Sequence, residues 1–234
     1  MNDKTRLLIV EDEPAIRTGL VDVFVFHGFE VDAVGDGAEG LEKALAGQFD
    51  LVILDIMLPS MNGFDVCQAI REVDRDQPII MLTAKVSDED IIHGLSLGAD
   101  DYVAKPFSVA QLVLRVQAVL RRAKPTTELP VTIQLGNDVK IDAGTLSGQR
   151  GRETLTFTAR EMAILQYLDA HTNRAVPRDE LLTEVWGYAR NLDLETRTVD
   201  IHIAKLRRKI EPNPKSPIYL VTVRGAGYRL VRDA

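Results

Sequence analysis

Reactive side chains stand at or just after the ends of apolar segments in the first half of the chain. Glu11 and Asp12 follow "LLIV", and Asp55 ends "LVILD". Thr83 ends a third such segment, and Lys105 lies near the end of a fourth. Together these residues offer three carboxylates, one hydroxyl and one ammonium group. Such groups, if gathered in one place, can bind a hard divalent cation and a phosphoryl group.

The chemistry that such a cluster favours is phosphoryl transfer to a carboxylate. Crowded carboxylates repel one another unless protons or a cation neutralise them, and oxygen ligands alone favour Mg²⁺. Beside Mg²⁺, Asp55 could attack a phosphoryl group and become an aspartyl phosphate. Lys105 would supply a second positive charge, and Thr83 would donate a hydrogen bond to a phosphoryl oxygen.

The elements that must position these residues are strands alternating with helices. Short apolar segments recur at 7–10, 29–34, 51–54, 78–82 and 101–106. Between them lie amphipathic stretches of helical length, and capping-box patterns occur at 87–90 and 108–111. The alternation predicts an α/β fold with a doubly wound five-stranded parallel sheet, for which we take the order 2-1-3-4-5. The carboxyl ends of its first, third and fourth strands would then meet in one crevice.

Each of these residues also has an ordinary explanation. An aspartate at a strand end is usually a helix cap or turn former, and Lys-Pro is usually a turn. Five groups at matching strand ends nevertheless favour a site. A phosphatase that turns over on Asp55 is disfavoured, because Ile56, Met57 and Leu58 supply no second acid. A flavin-binding module is disfavoured, because "EDEP" offers carboxylates where a flavin phosphate needs amides and hydroxyls.

Charge and composition divide the chain. Residues 1–124 carry 12 Lys and Arg against 21 Asp and Glu, whereas residues 197–232 carry nine against two. The segment "RRAKPTTELP" is rich in proline, threonine and charge, which is typical of a linker. We therefore predict a first domain at 1–122, a linker at 123–130 and a second domain at 131–234. The basic segment indicates nucleic acid as a partner of the second domain.

The cellular compartment is inferred from the lack of a membrane span, a signal peptide and a cysteine pair. The sequence has no apolar run of membrane-spanning length and no signal-peptide pattern at its start, and its single cysteine cannot form an internal disulfide. Cys67 lies in a helical pattern and is expected to be a small buried residue. A cytoplasmic protein with no membrane partner is predicted.

The second domain reads as a small α+β winged helix-turn-helix. Alternating residues predict an antiparallel sheet, and Thr158 with Glu161 predicts a capping box at a first helix. The third helix, "TRTVDIHIAKLRRKI", carries an apolar stripe of Val199, Ile203, Leu206 and Ile210. Its other faces carry Arg197, His202, Lys205, Arg207, Arg208 and Lys209. A solvated basic face is the alternative, but a following hairpin with Arg224 at its tip favours a recognition helix and wing.

The first half resembles a known family. "IVEDEP", "LVILDIMLPSMNG", "MLTAK" and "GADDYVAKPF" resemble the receiver domain of two-component response regulators, a flavodoxin- or CheY-like fold, over residues 5–122. The resemblance implies that Asp55 is the phosphoacceptor and that Glu11 and Asp12 are the acidic pair of a Mg²⁺ site. Asp12 would be the direct ligand, and the backbone carbonyl of Met57 a further one. A sensor histidine kinase would be the phosphodonor.

The same resemblance implies a switch. Thr83 would be the switch hydroxyl, Lys105 the family's lysine and Tyr102 the aromatic switch residue. A cis bond would join Lys105 to Pro106, as X-Pro bonds permit. From the residues alone, Tyr102 could equally be a half-exposed aromatic on an edge strand.

Residues 131–232 resemble the OmpR/PhoB-type effector domain. The matching segments are "LTFTAREMAIL", "RDELLTEVWG", "RTVDIHIAKLRRKIE" and "TVRGAGYRL". The resemblance implies promoter DNA contacts by Arg197, His202, Lys205, Arg207, Arg208, Thr222, Arg224 and Tyr228. Ala204 stands where a basic residue is common, and Trp186 is expected in the core. The loop at 188–195 lies where family members can meet RNA polymerase, although a simple surface loop explains it equally well.

The subfamily also implies a homodimer formed on phosphorylation. Its symmetric face comprises the helix before the fifth strand, that strand and the helix after it. Residues that match its ion pairs are Asp100, Asp101, Arg115 and Arg122. Ile91, Ser96 and Gln111 stand where charged residues are usual.

Overall fold

The computed structural model describes residues 4–47, 49–84, 97–122, 132–188 and 197–233. For Arg121, Arg122 and Arg197 only the backbone is described. The chain divides into two compact units, Met1–Ala123 and Lys124–Ala234. Among the described residues, no helix is long and apolar enough to cross a bilayer. Predictions outside the described ranges concern the capping box at 87–90, Ile91, Ser96, the linker at 123–130 and nearly all of the loop at 188–195.

The first unit is a parallel sheet with helices between its strands. Its strands are β1 (Arg6–Val10), β2 (Glu30–Val34), β3 (Leu51–Asp55), β4 (Ile79–Thr83) and β5 (Asp101–Ala104). Its described helices are α1 (Pro14–Phe26), α2 (Gly37–Ala46), α3 (Gly63–Val73) and α4 (Val109–Arg122). All strand pairs are parallel, and the order is β2-β1-β3-β4-β5. The predicted doubly wound fold and its strand order are confirmed.

The central strands are buried on both faces, which explains their uninterrupted apolar sequences. On one face, Leu20 and Phe24 of α1 and Val116 of α4 pack with Ile9 and Ile53 of the sheet. Strand register fixes where the polar ends fall, because Val10 pairs with Leu54, Asp55 with Leu82 and Thr83 with Ala104. The ends of β1, β3 and β4 therefore share one edge.

The second unit combines a small sheet, helices and a hairpin. Its strands are β6 (Thr132–Leu135), β7 (Val139–Asp142), β8 (Ser147–Arg150), β9 (Glu153–Thr156), β10 (Leu220–Val223) and β11 (Gly227–Leu230). Its described helices are α5 (Ala159–Ala170), α6 (Arg178–Glu184) and α7 (Arg197–Ile210). Strands β6 to β9 form an antiparallel sheet in chain order, and β10 pairs with β11. The predicted winged-helix architecture is confirmed.

Local sequence signals in the second unit act as expected. Glu161 N–H donates to Thr158 Oγ1, and Thr158 N–H donates to Glu161 Oε2, which completes the predicted capping box. The apolar stripe of α7 is buried, and so is Trp186. Cys67 of the first unit is also buried, as predicted.

Candidate functional site

The shared edge of β1, β3 and β4 gathers the predicted charged residues. Lys105 Nζ lies 2.8 Å from Glu11 Oε1 and 2.9 Å from Asp55 Oδ2. Carboxylate oxygens of Glu11, Asp12 and Asp55 lie within 4.8 Å of one another. Glu11 and Asp55 are buried, whereas Asp12 is exposed. The result is an acidic pocket with a lysine against its two buried carboxylates and an exposed carboxylate at its mouth.

This pocket is short of positive charge. Burial raises the pKa of the Glu11 carboxyl; the hydrogen bond from Lys105 opposes the rise, and the Asp55 carboxylate adds to it. Burial alone would lower the pKa of the Lys105 ammonium, but its hydrogen bonds to Glu11 and Asp55 outweigh burial and raise the pKa. An acid and a base that both hold protons more tightly indicate excess negative charge. A divalent cation would relieve that excess.

The donor set of the pocket fits Mg²⁺. Glu11 Oε2 is buried and has no hydrogen-bond partner among the described residues. Such an oxygen is costly unless a cation or a donor meets it. Three carboxylates, with the carbonyl of Met57 following Asp55, make an oxygen-only set of the kind that Mg²⁺ prefers. The Met57 side chain itself is exposed.

The segment after β3 holds Asp55 in place through a close approach of α3. A Cβ at Gly63 would lie 2.1 Å from the Asp55 carbonyl oxygen, so only glycine permits this contact. Gly63 N–H donates to the Ile56 carbonyl at 2.9 Å. Asn62 caps α3 by accepting a hydrogen bond from Asp65 N–H at 3.0 Å. The residues of "SMNG" therefore fix the loop in which the predicted phosphoacceptor lies.

The predicted switch residues lie on the neighbouring strands. Thr83 ends β4 and is buried. Tyr102 lies on β5 and is 7% exposed, so the alternative of a half-exposed edge aromatic is wrong. The Lys105–Pro106 bond is cis, as the family resemblance implied. The switching role of Thr83 and Tyr102 stays a prediction.

Three of the four residues predicted for dimer pairing make ion pairs within one chain. Asp100 accepts hydrogen bonds from Arg71 at 3.1 Å and from the Ile79 backbone at 2.9 Å. Asp101 is buried and lies 2.6 Å from Arg115. The side chain of Arg122 lies outside the described residues. These contacts leave the predicted pairing untested, and they show that Asp100 and Asp101 serve the fold of a single chain.

The second unit presents only part of its predicted DNA face to solvent. Arg208 on α7 and Thr222 and Arg224 on the hairpin are exposed. Two other basic residues are half-buried and bound within the unit. Lys205 Nζ lies 2.9 Å from Glu161 Oε1. Arg207 donates to the Leu220 carbonyl at 2.8 Å and to Thr222 Oγ1 at 2.7 Å. The Arg197 side chain lies outside the described residues.

His202 lies inside the second unit. It is 1% exposed, its Nδ1 donates to the Thr198 carbonyl at 2.9 Å, and its ring stands edge-on to Trp186 at 5.2 Å between centroids. Burial lowers the pKa of His202 to about 4, so the ring is neutral near pH 7. The predicted DNA contact of His202 is wrong, because the inner face of α7 is wider than its four-residue apolar stripe.

Tyr228 is buried and anchors the β10–β11 hairpin. It is 4% exposed, and its hydroxyl donates to Asp200 Oδ1 at 2.6 Å and accepts from Arg178 at 3.0 Å. The guanidinium groups of Arg178 and Arg207 lie 4.7 and 5.8 Å from its ring centroid. We therefore correct Tyr228 from a predicted DNA contact to a residue that joins the wing to α6 and α7.

Comparison with known proteins agrees with these two units. Residues 7–117 match the response regulator receiver domain, and residues 151–230 match the C-terminal domain of transcriptional regulatory proteins. The DNA-binding response regulator MtrA of Mycolicibacterium smegmatis is 41% identical over 97% of this chain and 96% of its own length. The alkaline phosphatase synthesis transcriptional regulatory protein PhoP of Bacillus subtilis is 42% identical over 98% of this chain and 97% of its own length. This chain belongs to the OmpR/PhoB-type response regulators.

Solved structures of response regulators share this architecture. A RitR mutant matches 97% of this chain and 99% of its own, with a TM-score of 0.73 and 28% identity. DrrB, an OmpR/PhoB homologue from Thermotoga maritima, covers the same shares with a TM-score of 0.52 and 30% identity. The regulator is therefore a DNA-binding member of a two-component system and not an enzyme, which excludes the phosphatase and flavin-module alternatives.

Sequence reasoning missed side chains that hold the regulator's sites in place. Arg17 donates hydrogen bonds to the backbone carbonyls of Glu11 and Asp12. Arg71 is buried under Asp100, and an arginine inside the apolar pattern "VCQAIREV" was the available signal for it. No sequence signal distinguishes Arg17 from an ordinary surface arginine on α1.

Proposed function

We propose that this regulator accepts a phosphoryl group on Asp55 from a sensor histidine kinase and thereby controls its binding to promoter DNA. The observation that carries the proposal is the position of Lys105 Nζ, within 2.9 Å of both Glu11 and Asp55 in a pocket that Asp12 completes. A buried carboxylate beside the Lys105 ammonium group and one buried acidic oxygen without a described hydrogen-bond partner is suited to phosphoryl transfer.

Each pocket residue has a proposed role. Asp55 attacks phosphorus as the bond from phosphorus to the histidine nitrogen of the kinase breaks, and Lys105 balances charge on the phosphoryl oxygens. Thr83 ends the adjacent strand and would donate its hydroxyl hydrogen to one of those oxygens. Mg²⁺, held by Asp12, Asp55 and the Met57 carbonyl with Glu11 behind them, would supply the positive charge that admits an anionic phosphoryl group. Tyr102 would follow Thr83 as that hydroxyl moves toward the phosphoryl group.

Phosphorylation would act on DNA binding by pairing two regulators. Paired chains would present two effector units to tandem half-sites about one helical turn apart, and the avidity of two linked units exceeds that of one. Arg115 and Arg122 are proposed for the pairing face, where Arg115 would share or exchange its internal bond to Asp101. The loop at 188–195 is a proposed contact for RNA polymerase.

The proposed DNA contacts are the side chains that reach solvent. Arg208 on α7 and Arg224 on the wing are suited to bind guanine edges or phosphates, and Thr222 to bind phosphate. Lys205 and Arg207 lie beside them with part of their surface free, and Arg197 lies at the start of α7.

Substitution of the phosphoacceptor tests the first step. We expect Asp55→Asn to remove phosphoryl incorporation from acetyl phosphate in the presence of Mg²⁺, because the nucleophilic oxygen is lost. The matched control is Asp22→Asn, which makes the same substitution at an exposed aspartate of α1. Incorporation would be followed by intact-protein mass spectrometry. Acid-labile phosphate on the Asp55→Asn variant would contradict the assignment.

Substitution on α7 tests the DNA face. We expect Arg208→Ala to weaken binding to a target promoter about tenfold, because an arginine contact to DNA is worth about 1–3 kcal/mol. Arg152→Ala removes the same charge from an exposed turn between β8 and β9 and should change affinity little. Affinities would be measured across a salt series. Equal affinities for Arg208→Ala and the control at every salt concentration would rule out the Arg208 contact.

A further inference from the structure

A side chain outside the acidic pocket holds the backbone that carries it. Arg17 in α1 reaches back to the end of β1, where Nη1 lies 2.6 Å from the Glu11 carbonyl oxygen and 3.0 Å from the Asp12 carbonyl oxygen. From the β2 side, Glu11 N–H donates to the Val34 carbonyl at 3.0 Å. Two independent attachments therefore restrain the short stretch in which both acidic residues lie.

A glycine makes room for this arginine. A Cβ at Gly35 would lie 2.8 Å from Arg17 Nη1 and 3.3 Å from Cζ. The guanidinium therefore lies in van der Waals contact with the Gly35 backbone, in space that any larger side chain would fill. Gly35 does not have a positive φ, and the nearest atoms to that Cβ all belong to the guanidinium. Alanine at this position would therefore displace the arginine and leave the backbone unstrained.

The backbone of Glu11 and Asp12 must be restrained against repulsion between carboxylates. The carboxylates of Glu11, Asp12 and Asp55 repel one another, yet their oxygens converge within 4.8 Å. We propose that Arg17, seated on Gly35, is a positioning residue that keeps the Glu11–Asp12 backbone in the conformation that binds a divalent cation. This inference rests on the proposed function of the pocket. Partners behind metal ligands commonly set metal affinity in this way.

Charge and geometry predict opposite effects for Arg17, which makes the inference testable. A nearby positive charge repels a cation, so electrostatics alone predicts tighter Mg²⁺ binding when Arg17 is removed. Positioning predicts weaker binding. Gly35→Ala separates the two effects, because it moves the guanidinium without changing the charge of the chain.

The experiment is a double-mutant cycle on the full chain. Isothermal titration calorimetry would measure the dissociation constant of Mg²⁺ for the unsubstituted protein, Gly35→Ala, Arg17→Met and the double variant. We expect Gly35→Ala to weaken Mg²⁺ binding about three- to tenfold when Arg17 is present and to have no effect in the Arg17→Met background. An equal loss in both backgrounds, or no loss in either, would overturn the inference.

A second readout separates positioning from general damage. We expect the phosphorylation rate of Gly35→Ala with acetyl phosphate to recover at saturating Mg²⁺, because only metal affinity is impaired. A rate that stays low at every Mg²⁺ concentration would indicate a structural defect and contradict positioning. Arg17→Lys keeps the charge but replaces the planar guanidinium with a compact ammonium group. It should therefore restore only part of the Mg²⁺ affinity that Arg17→Met loses.

The failure of this inference can be told from the failure of the proposed function. Asp12→Asn should abolish measurable Mg²⁺ binding. If the unsubstituted chain binds no Mg²⁺, or binds it equally well as Asp12→Asn, both the pocket assignment and the role of Arg17 fall. If Asp12→Asn abolishes binding while the cycle between Gly35 and Arg17 is additive, only the role of Arg17 falls.

Discussion

Glu11 in the receiver unit and Glu161 in the effector unit are both buried against lysines, but their surroundings differ in net charge. Glu11 shares Lys105 with Asp55, and Asp12 lies beside them. Glu161 lies against two lysines, with Lys205 at 2.9 Å and Lys209 at 2.6 Å. Among the charged groups that the structure describes, the first cluster has more carboxylates than cations, and the second has more cations than carboxylates.

The pKa shifts follow that difference. Burial raises the pKa of both glutamates, but only the pKa of Glu11 stays above its usual value when the neighbouring charges are included. For Glu161, attraction to Lys205 and Lys209 outweighs burial, and the pKa lies below its usual value. A buried Glu–Lys contact therefore does not by itself determine whether the pKa of the glutamate is raised or lowered. The number of surrounding charges decides whether such a contact keeps an excess of negative charge, as in the receiver pocket, or of positive charge, as beside α7.

Removing the charge of Glu161 should greatly lower the stability of the effector unit. We expect Glu161→Gln to lower the free energy of unfolding of the effector unit by about 3 kcal/mol, because it leaves two partly buried lysines without a counter-charge. Trp186 is the single tryptophan of the chain and is buried in this unit, so its fluorescence during urea unfolding reports this unit alone.

The control for Glu161 is a glutamate of the same unit at the surface. Glu153 pairs with Arg150 but is 59% exposed, so Glu153→Gln should cost at most about 0.5 kcal/mol. Equal losses for the two variants would mean that the lysines around Glu161 are not held by its charge, and the contrast between the two glutamates would disappear.

The same positive surroundings should make the effector unit sensitive to acid through His202. Burial, with Lys205 and Arg160 adding to it, lowers the pKa of His202 from 6.5 to about 4. Because the folded-state pKa is depressed, the neutral ring contributes stability that is complete above pH 6.5 and is lost as pH falls toward 4. The loss should reach about 3 kcal/mol.

Urea unfolding followed by Trp186 fluorescence between pH 7.5 and about 4 would measure this loss. His202→Phe keeps an aromatic edge against Trp186 and should remove most of the pH dependence in that window. The matched control, His171→Phe, makes the same substitution at a half-buried histidine of the same unit. An unchanged pH profile for His202→Phe would show that other groups cause the acid sensitivity.

Sequence patterns predicted the strands and helices that recur along the chain. They missed contacts that depend on the direction of individual side chains. Alternating strands and helices indicate a parallel sheet whose strands end at one edge, so Asp55, Thr83 and Lys105 could be placed at that edge in advance. His202 was misplaced because a basic, polar helix face was inferred by exclusion from the apolar stripe. Arg17 was missed because its hydrogen bonds to two carbonyls depend on the bare face of Gly35, which no periodicity reveals.

Neutralising Glu11 should have the smallest effect on stability and the opposite sign. Its folded-state pKa is raised, so above that pKa the ionised carboxylate destabilises the receiver, and Glu11→Gln should slightly raise the free energy of unfolding at pH 7 without Mg²⁺. With Mg²⁺ the order should reverse, because the unsubstituted protein gains stability by binding the ion and the variant gains less. Calorimetric unfolding of both proteins with and without Mg²⁺ would measure this. Destabilisation of Glu11→Gln in the absence of Mg²⁺ would mean that the Lys105 bond outweighs burial and crowding, and the receiver pocket would then resemble the Glu161 cluster in its electrostatics.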